Sequence, residues 1–131
     1  MTLRLRMYSF LLLSSLAILG GCSKNVDRSG VPGEYKATHA DGIETLELHG
    51  DGTYTNRFRT LNGAETASSG KWGFEPYFGE SKVEVYNFSS HFPNPFQTGA
   101  SNSLLGIEKD WGHIRLYYSY DRDEYYSKTG N

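Results

Sequence analysis

The chain has 131 residues, with 13 lysines and arginines against 15 aspartates and glutamates, a formal charge of −2. No run of basic residues occurs, which excludes nucleic-acid binding through a basic patch. A single cysteine, Cys22, excludes an intrachain disulfide and with it the stapled small-domain class.

In chain order, Arg4 and Arg6 precede an apolar stretch from Tyr8 to Leu19, closed by Leu19-Gly20-Gly21-Cys22. About a dozen apolar residues suit the core of a secretory signal and fall short of the roughly 20 that span a bilayer. With an aliphatic residue, two small residues and then cysteine, this segment resembles the bacterial lipoprotein signal. The resemblance implies that residues 1–21 are a signal peptide, cleaved before Cys22, whose sulfur and new amino group are acylated. The alternative is an ordinary secretory signal with an incidental thiol. Against it, the sole cysteine falls at the position a lipoprotein signal demands, and a lone thiol is uncommon in exported proteins. Ser23 rather than aspartate after the cysteine favours the periplasmic face of the outer membrane; the inner membrane is the alternative. Loss of Arg4 and Arg6 leaves 11 basic against 15 acidic residues, a charge of −4, so attachment would rest on the acyl chains. Stable anchoring takes more than one such chain, which a triacylated cysteine supplies.

Residues 22–32 are polar and carry Gly30 and Pro32, and read as a lipidated tether. From residue 33 to 131 the composition favours strands: nine of the ten tyrosines, both tryptophans and six of the seven phenylalanines follow residue 21. No stretch repeats apolar residues at helical spacing over three turns. Turn signals recur about every ten residues and delimit strands at Gly33–His39, Ile43–His49, Thr53–Thr60, Ser68–Glu75, Ser81–Phe88, Ser103–Lys109, His113–Tyr120 and Glu124–Lys128.

A three-residue loop Gly50-Asp51-Gly52 sets Leu48 opposite Tyr54 and Leu46 opposite Asn56, gathering apolar residues on one face. Near the C-terminus Ile114, Leu116, Tyr118 and Tyr120 form the inward set, and Trp72 and Phe74 supply further core. The expected fold is all-β: an antiparallel up-and-down meander of about eight strands, closed or partly closed into a barrel. Gly33-Glu34-Tyr35, Leu46-x-Leu48-x-x-Asp51-Gly52-x-Tyr54 and Gly70-Lys71-Trp72 resemble the small bacterial lipocalin-like domains carried by lipoproteins. That resemblance implies a lipocalin-like barrel and transfers a fold more readily than an activity.

Candidate chemistry is sparse. His39 and His49 flank one hairpin but sit roughly 20 Å apart at about 3.3 Å per residue. No zinc-ligand spacing occurs, and Asp121-x-Asp123-Glu124 reads as a solvated turn rather than a calcium loop. No nucleophile elbow is present, and no carboxylate sits in an apolar run that would bury it. Neither catalytic residues nor a metal or cofactor are expected. The connection Ser89–Asn102 is long for a β protein and presents Phe92 and Phe96 beside prolines. Those rings either contact a ligand or partner or plug one barrel end. Trp111, in the Trp111-Gly112 connection, is the third candidate contact.

The function expected is a lipid-anchored cell-envelope barrel acting as a binding or interaction module, with the membrane as partner through Cys22. A small apolar ligand or an envelope protein is the expected second partner. The first alternative is a structural or accessory lipoprotein that meets another envelope protein or a cell-wall polymer through its outer surface; a further one, an enzyme, would require a buried polar cluster that the sequence does not announce. A solid apolar core favours the second reading, an open cavity the first.

Overall fold

The computed structural model describes residues 26–77, 80–94 and 99–130, so Cys22 and Phe96 lie outside the described residues. A single 3₁₀ turn, Arg28–Gly30, precedes eight strands: β1 Gly33–His39, β2 Gly42–Leu48, β3 Thr53–Thr60, β4 Glu65–Tyr77, β5 Glu80–Phe88, β6 Ser101–Asp110, β7 His113–Ser119 and β8 Glu124–Lys128. All pair antiparallel with their sequence neighbours, and β8 returns to β1 through Tyr35↔Lys128 and Lys36↔Ser127. The protein is a closed eight-stranded antiparallel meander barrel.

The β2–β3 register is Leu48↔Tyr54 and Leu46↔Asn56, as the three-residue loop requires. Gly52 takes φ +86°, where a side chain would be strained. Asp51 Oδ1 braces the turn by accepting from the Thr53 backbone N–H at 2.9 Å and its hydroxyl at 2.6 Å. Alternation then sends Gly42, Glu44, Leu46 and Leu48 inward.

An eight-stranded barrel is just wide enough to be filled by side chains. Tyr35, Tyr54, Tyr126, Phe88, Leu46, Leu48, Leu105 and Leu116 are fully buried inside it. Burial raises the Tyr35 hydroxyl far above the ordinary tyrosine value, and its proton is donated to Val31 O at 2.5 Å.

The expected tether is partly something else. Val31 is fully buried and Val26 nearly so, and the intervening turn seals one end of the barrel, here the base. Lys128 Nζ donates to Gly30 O at 2.6 Å, and the Arg28 guanidinium lies 5.0 Å from the Trp72 ring. Composition reads residues 26–32 as linker because only two valines in that stretch carry the packing.

Two bulges reset the inward faces. Between Val85 and Phe88 the β5–β6 register shifts, with Asn87 at φ +52°, so that Phe88 joins Val83 and Val85 in the core. In β7 an extra residue lies between Tyr117 and Ser119. Tyr118 still packs on the core, but Tyr120 turns outward and is 47% exposed, correcting its expected inward place. Its ring stacks on Tyr117 at 4.5 Å and lies over Gly106, where an added Cβ would collide with the phenol.

Candidate functional site

The far end of the barrel, opposite the base, carries the β1–β2, β3–β4, β5–β6 and β7–β8 connections. There the apolar lining gives way to a polar cluster centred on Glu44, which is fully buried. Asn56 Nδ2 donates to Glu44 Oε1 at 2.8 Å, and His39 Nε2 lies 3.1 Å from Oε2. The backbone N–H of His91 reaches both oxygens at 3.2 Å. Every contact is a donor or can be one, the set that an ionised carboxylate needs away from water.

The segment after β5 is thereby fastened across the barrel end. His91 stacks on Phe58, ring centres 3.6 Å apart, and its Nε2 pairs with both carboxylate oxygens of Asp41 at 3.0 Å. That hydrogen bond holds the Asp41 carboxyl below the ordinary aspartate value. Phe92 meets the His39 ring edge-on at 4.6 Å, stacks on Tyr118 at 5.5 Å and lies 5.2 Å from the Tyr126 ring. The Tyr126 hydroxyl is hydrogen-bonded to Ser90 Oγ. Burial, then the charge of Glu44, pushes that hydroxyl well above the ordinary tyrosine value. Of the two readings for the aromatics of this connection, Phe92 takes the plug.

One atom in this network is left over. Asn56 Nδ2 faces two acceptors, Glu44 Oε1 and Ser89 O at 3.3 Å, which fixes the amide orientation. Its Oδ1 is then buried with no partner among the described residues, and the side chain is only 6% exposed. An orphaned acceptor of this kind costs about 1–3 kcal/mol. Oδ1 belongs to a residue lining a cleft of about 230 Å³, bounded also by Glu44, Phe58, Thr66, Ser68 and His91.

The cleft exists because β4 changes partners. Glu65 and Thr66 through Lys71 pair with β3, whereas Trp72 through Tyr77 pair with β5. Beyond Val85 the chain leaves the β4 ladder, and Ser89–His91 run toward Glu44 instead, opening a slot in the wall.

Trp111 sits elsewhere. It occupies the β6–β7 turn at the base, 92% exposed, with φ +47° followed by φ +84° at Gly112, a type I′ geometry. The structure therefore separates Trp111 from Phe92 by the length of the barrel. His39 and His49 also lie at opposite ends, and His39 meets His91 instead, ring centres 4.8 Å apart. Arg122 bonds Glu124 at 2.9 Å in the expected acidic turn, and among the described residues no group of His, Cys, Asp or Glu could hold a metal ion.

The buried Glu44 corrects the expectation that no carboxylate is buried. A signal was available: parity with Leu46 and Leu48 places Glu44 on the inner face, and Asn56 stands opposite Leu46. Comparison of the chain with protein families, curated proteins and solved structures returns no match.

Proposed function

We propose that the protein is a lipid-anchored module of a bacterial cell envelope, held to the bilayer by acylated Cys22 and binding through the far end of its barrel. The observation that carries this reading is the sole cysteine placed directly after Leu19-Gly20-Gly21. Val26, the first of the described residues and nearly buried, follows Cys22 by four positions, at most about 14 Å of extended chain. An anchor at Cys22 would therefore hold the base close to the lipid and turn the Glu44–Asn56 cleft away from it.

Two further features agree with that orientation. Outward positions of the wall carry Lys36, Glu47, Arg57, Arg59 and Glu84, so the barrel has the charged exterior of a domain that stands on a bilayer rather than within it. Exposed Trp111 points from the base, where an amphipathic ring suits a membrane interface.

A second reading rests on the filled interior and on the outer aromatic face. Tyr120 stacks on Tyr117, Tyr125 meets Tyr117 at a tilt with Arg115 4.8 Å from the Tyr125 ring, and half-exposed Leu104 lies on the neighbouring strand. An accessory lipoprotein would use such a face to meet another envelope protein.

Cys22→Ser tests the anchor. The expected variant accumulates as an unprocessed precursor that incorporates no labelled palmitate. A variant that is processed and fractionates as the wild type does would remove the proposal.

A further inference from the structure

We propose that the outer wall of β6 and β7 is a contact between two copies of this chain, related by a two-fold axis that runs between those strands. The inference assigns a partner to the outer aromatic face and stands apart from the anchor at Cys22.

The register makes this wall self-complementary. On the outer side of β6, Glu108 and Asp110 stand directly across from Arg115 and His113 of β7. Both rows therefore carry the acid on β6 and the base on β7. A two-fold between the strands lays β6 of one copy on β7 of the other, so each Glu108 meets an Arg115 and each Asp110 a His113. Every favourable pair occurs twice, and no like charges of these rows come together. Within one chain neither pair closes. The Arg115 guanidinium is turned over the Tyr125 ring, 4.8 Å from its centroid. All four side chains are at least partly exposed, and none makes an ion pair among the described residues. Their charge is available to a second molecule.

The same operation matches the apolar part of the wall. Leu104 alternates with buried Leu105 and so points outward from β6, half-exposed. Tyr120, turned outward by the β7 bulge, lies over Gly106, two positions along β6 from Leu104. The two-fold sets Leu104 of each copy against Tyr120 of the other. Tyrosine and arginine carry a disproportionate share of binding energy in protein contacts. The Tyr120 ring is already held by its stack on Tyr117, so little freedom is lost when it is covered.

Area sets the strength. Strands β5 to β8 lie about 4.8 Å apart, and the seven residues Leu104 to Asp110 rise about 3.3 Å each, which gives roughly 400 Å² of wall per copy. Two such faces fall below the roughly 1,200 Å² of a stable complex. The contact is a reversible dimer that forms with concentration.

The test is sedimentation equilibrium of the full chain in density-matched detergent micelles. The wild type is expected to pass from one chain to two as its concentration rises towards about 1 mM. Arg115→Glu or Glu108→Arg alone sets like charges against each other and is expected to raise the dissociation constant about tenfold. Arg115→Glu combined with Glu108→Arg exchanges the charges and is expected to restore it to within about threefold of wild type. Leu104→Glu, at a half-exposed position, is expected to weaken the dimer about tenfold with the thermal midpoint unchanged, and serves if a charge variant does not fold. A wild type that stays a single chain throughout overturns the proposal and leaves the face to a different protein. Single charge variants that associate as the wild type does, or a folded double variant that does not recover, overturn it as well. Two chains that share a micelle through their acyl groups are indifferent to these charges, so association unchanged by the variants is not this contact. The readout is association rather than membrane attachment, and its failure is distinct from a failure of the anchor.

Discussion

Replacing Glu44 with leucine removes the acceptor that three donors share, and the cost can be worked from the geometry. Asn56 Nδ2 retains Ser89 O, while the His39 ring, packed on Phe58, His91 and Phe92, loses its contact with Oε2. The His91 backbone N–H has no second acceptor among the described residues. One fully orphaned donor at about 1–3 kcal/mol and two weakened ones give a loss of about 3 kcal/mol. In a domain of about a hundred residues, each kcal/mol moves the melting temperature by roughly 4 °C, so a fall of about 12 °C is expected. Glu44→Gln keeps the shape and one carbonyl acceptor and is expected to lose about half as much. The assay is thermal unfolding by near-ultraviolet circular dichroism, joined to hydrogen exchange at the His91 amide. The exchange measurement distinguishes a released 89–92 segment from general loosening. Glu44→Leu within about 1 kcal/mol of wild type, with the His91 amide still protected, would refute the claim that this carboxylate fastens the segment.

Other outcomes follow from the same structure. Gly106→Ala forces Tyr120 off its seat and unstacks it from Tyr117, so chemical denaturation is expected to show a loss of about 1–3 kcal/mol. Asp41 titrates below the ordinary aspartate value of about 3.9 because of His91; its stabilising contribution is present above that value and lost as pH falls through the depressed one. Carbon-13 titration of the Asp41 carboxyl checks this, and Asp41→Asn is expected to flatten the dependence of stability on pH below about 4. Trp111→Asn places at φ +47° a residue that tolerates it better, and denaturation is expected to show unchanged or slightly raised stability. In the acylated protein on vesicles, the same change is expected to remove a blue-shifted component of the tryptophan emission.

Much of the barrel is legible in the sequence where alternation is unbroken. Gly33–His39, Thr53–Thr60 and Glu124–Lys128 have the bounds their flanking turns imply. The β2–β3 register follows from one loop and the faces it must match. Expectation fails where parity breaks. The bulges that bring Phe88 inward and send Tyr120 outward each insert one residue, and nothing local in either strand marks the insertion. β4 begins at Glu65 rather than Ser68, since Thr66-Ala67-Ser68-Ser69 has no apolar alternation of its own and is held as strand by β3. The cleft is less legible still. Glu44 and Asn56 could be placed inside by counting from Leu46, but the arrival of His91 on Glu44 is a contact across 47 positions with no pattern to announce it.

The proposed attachment of the barrel to a bilayer, by its base through acylated Cys22, has a chemical signature. Intact-mass measurement of the protein extracted from bacterial membranes tests it most directly. The expected result is a chain beginning at Cys22 and carrying the added mass of a diacylglyceryl group and a further acyl chain. A soluble chain with a free thiol at Cys22, or one that retains residues 1–21, would contradict it.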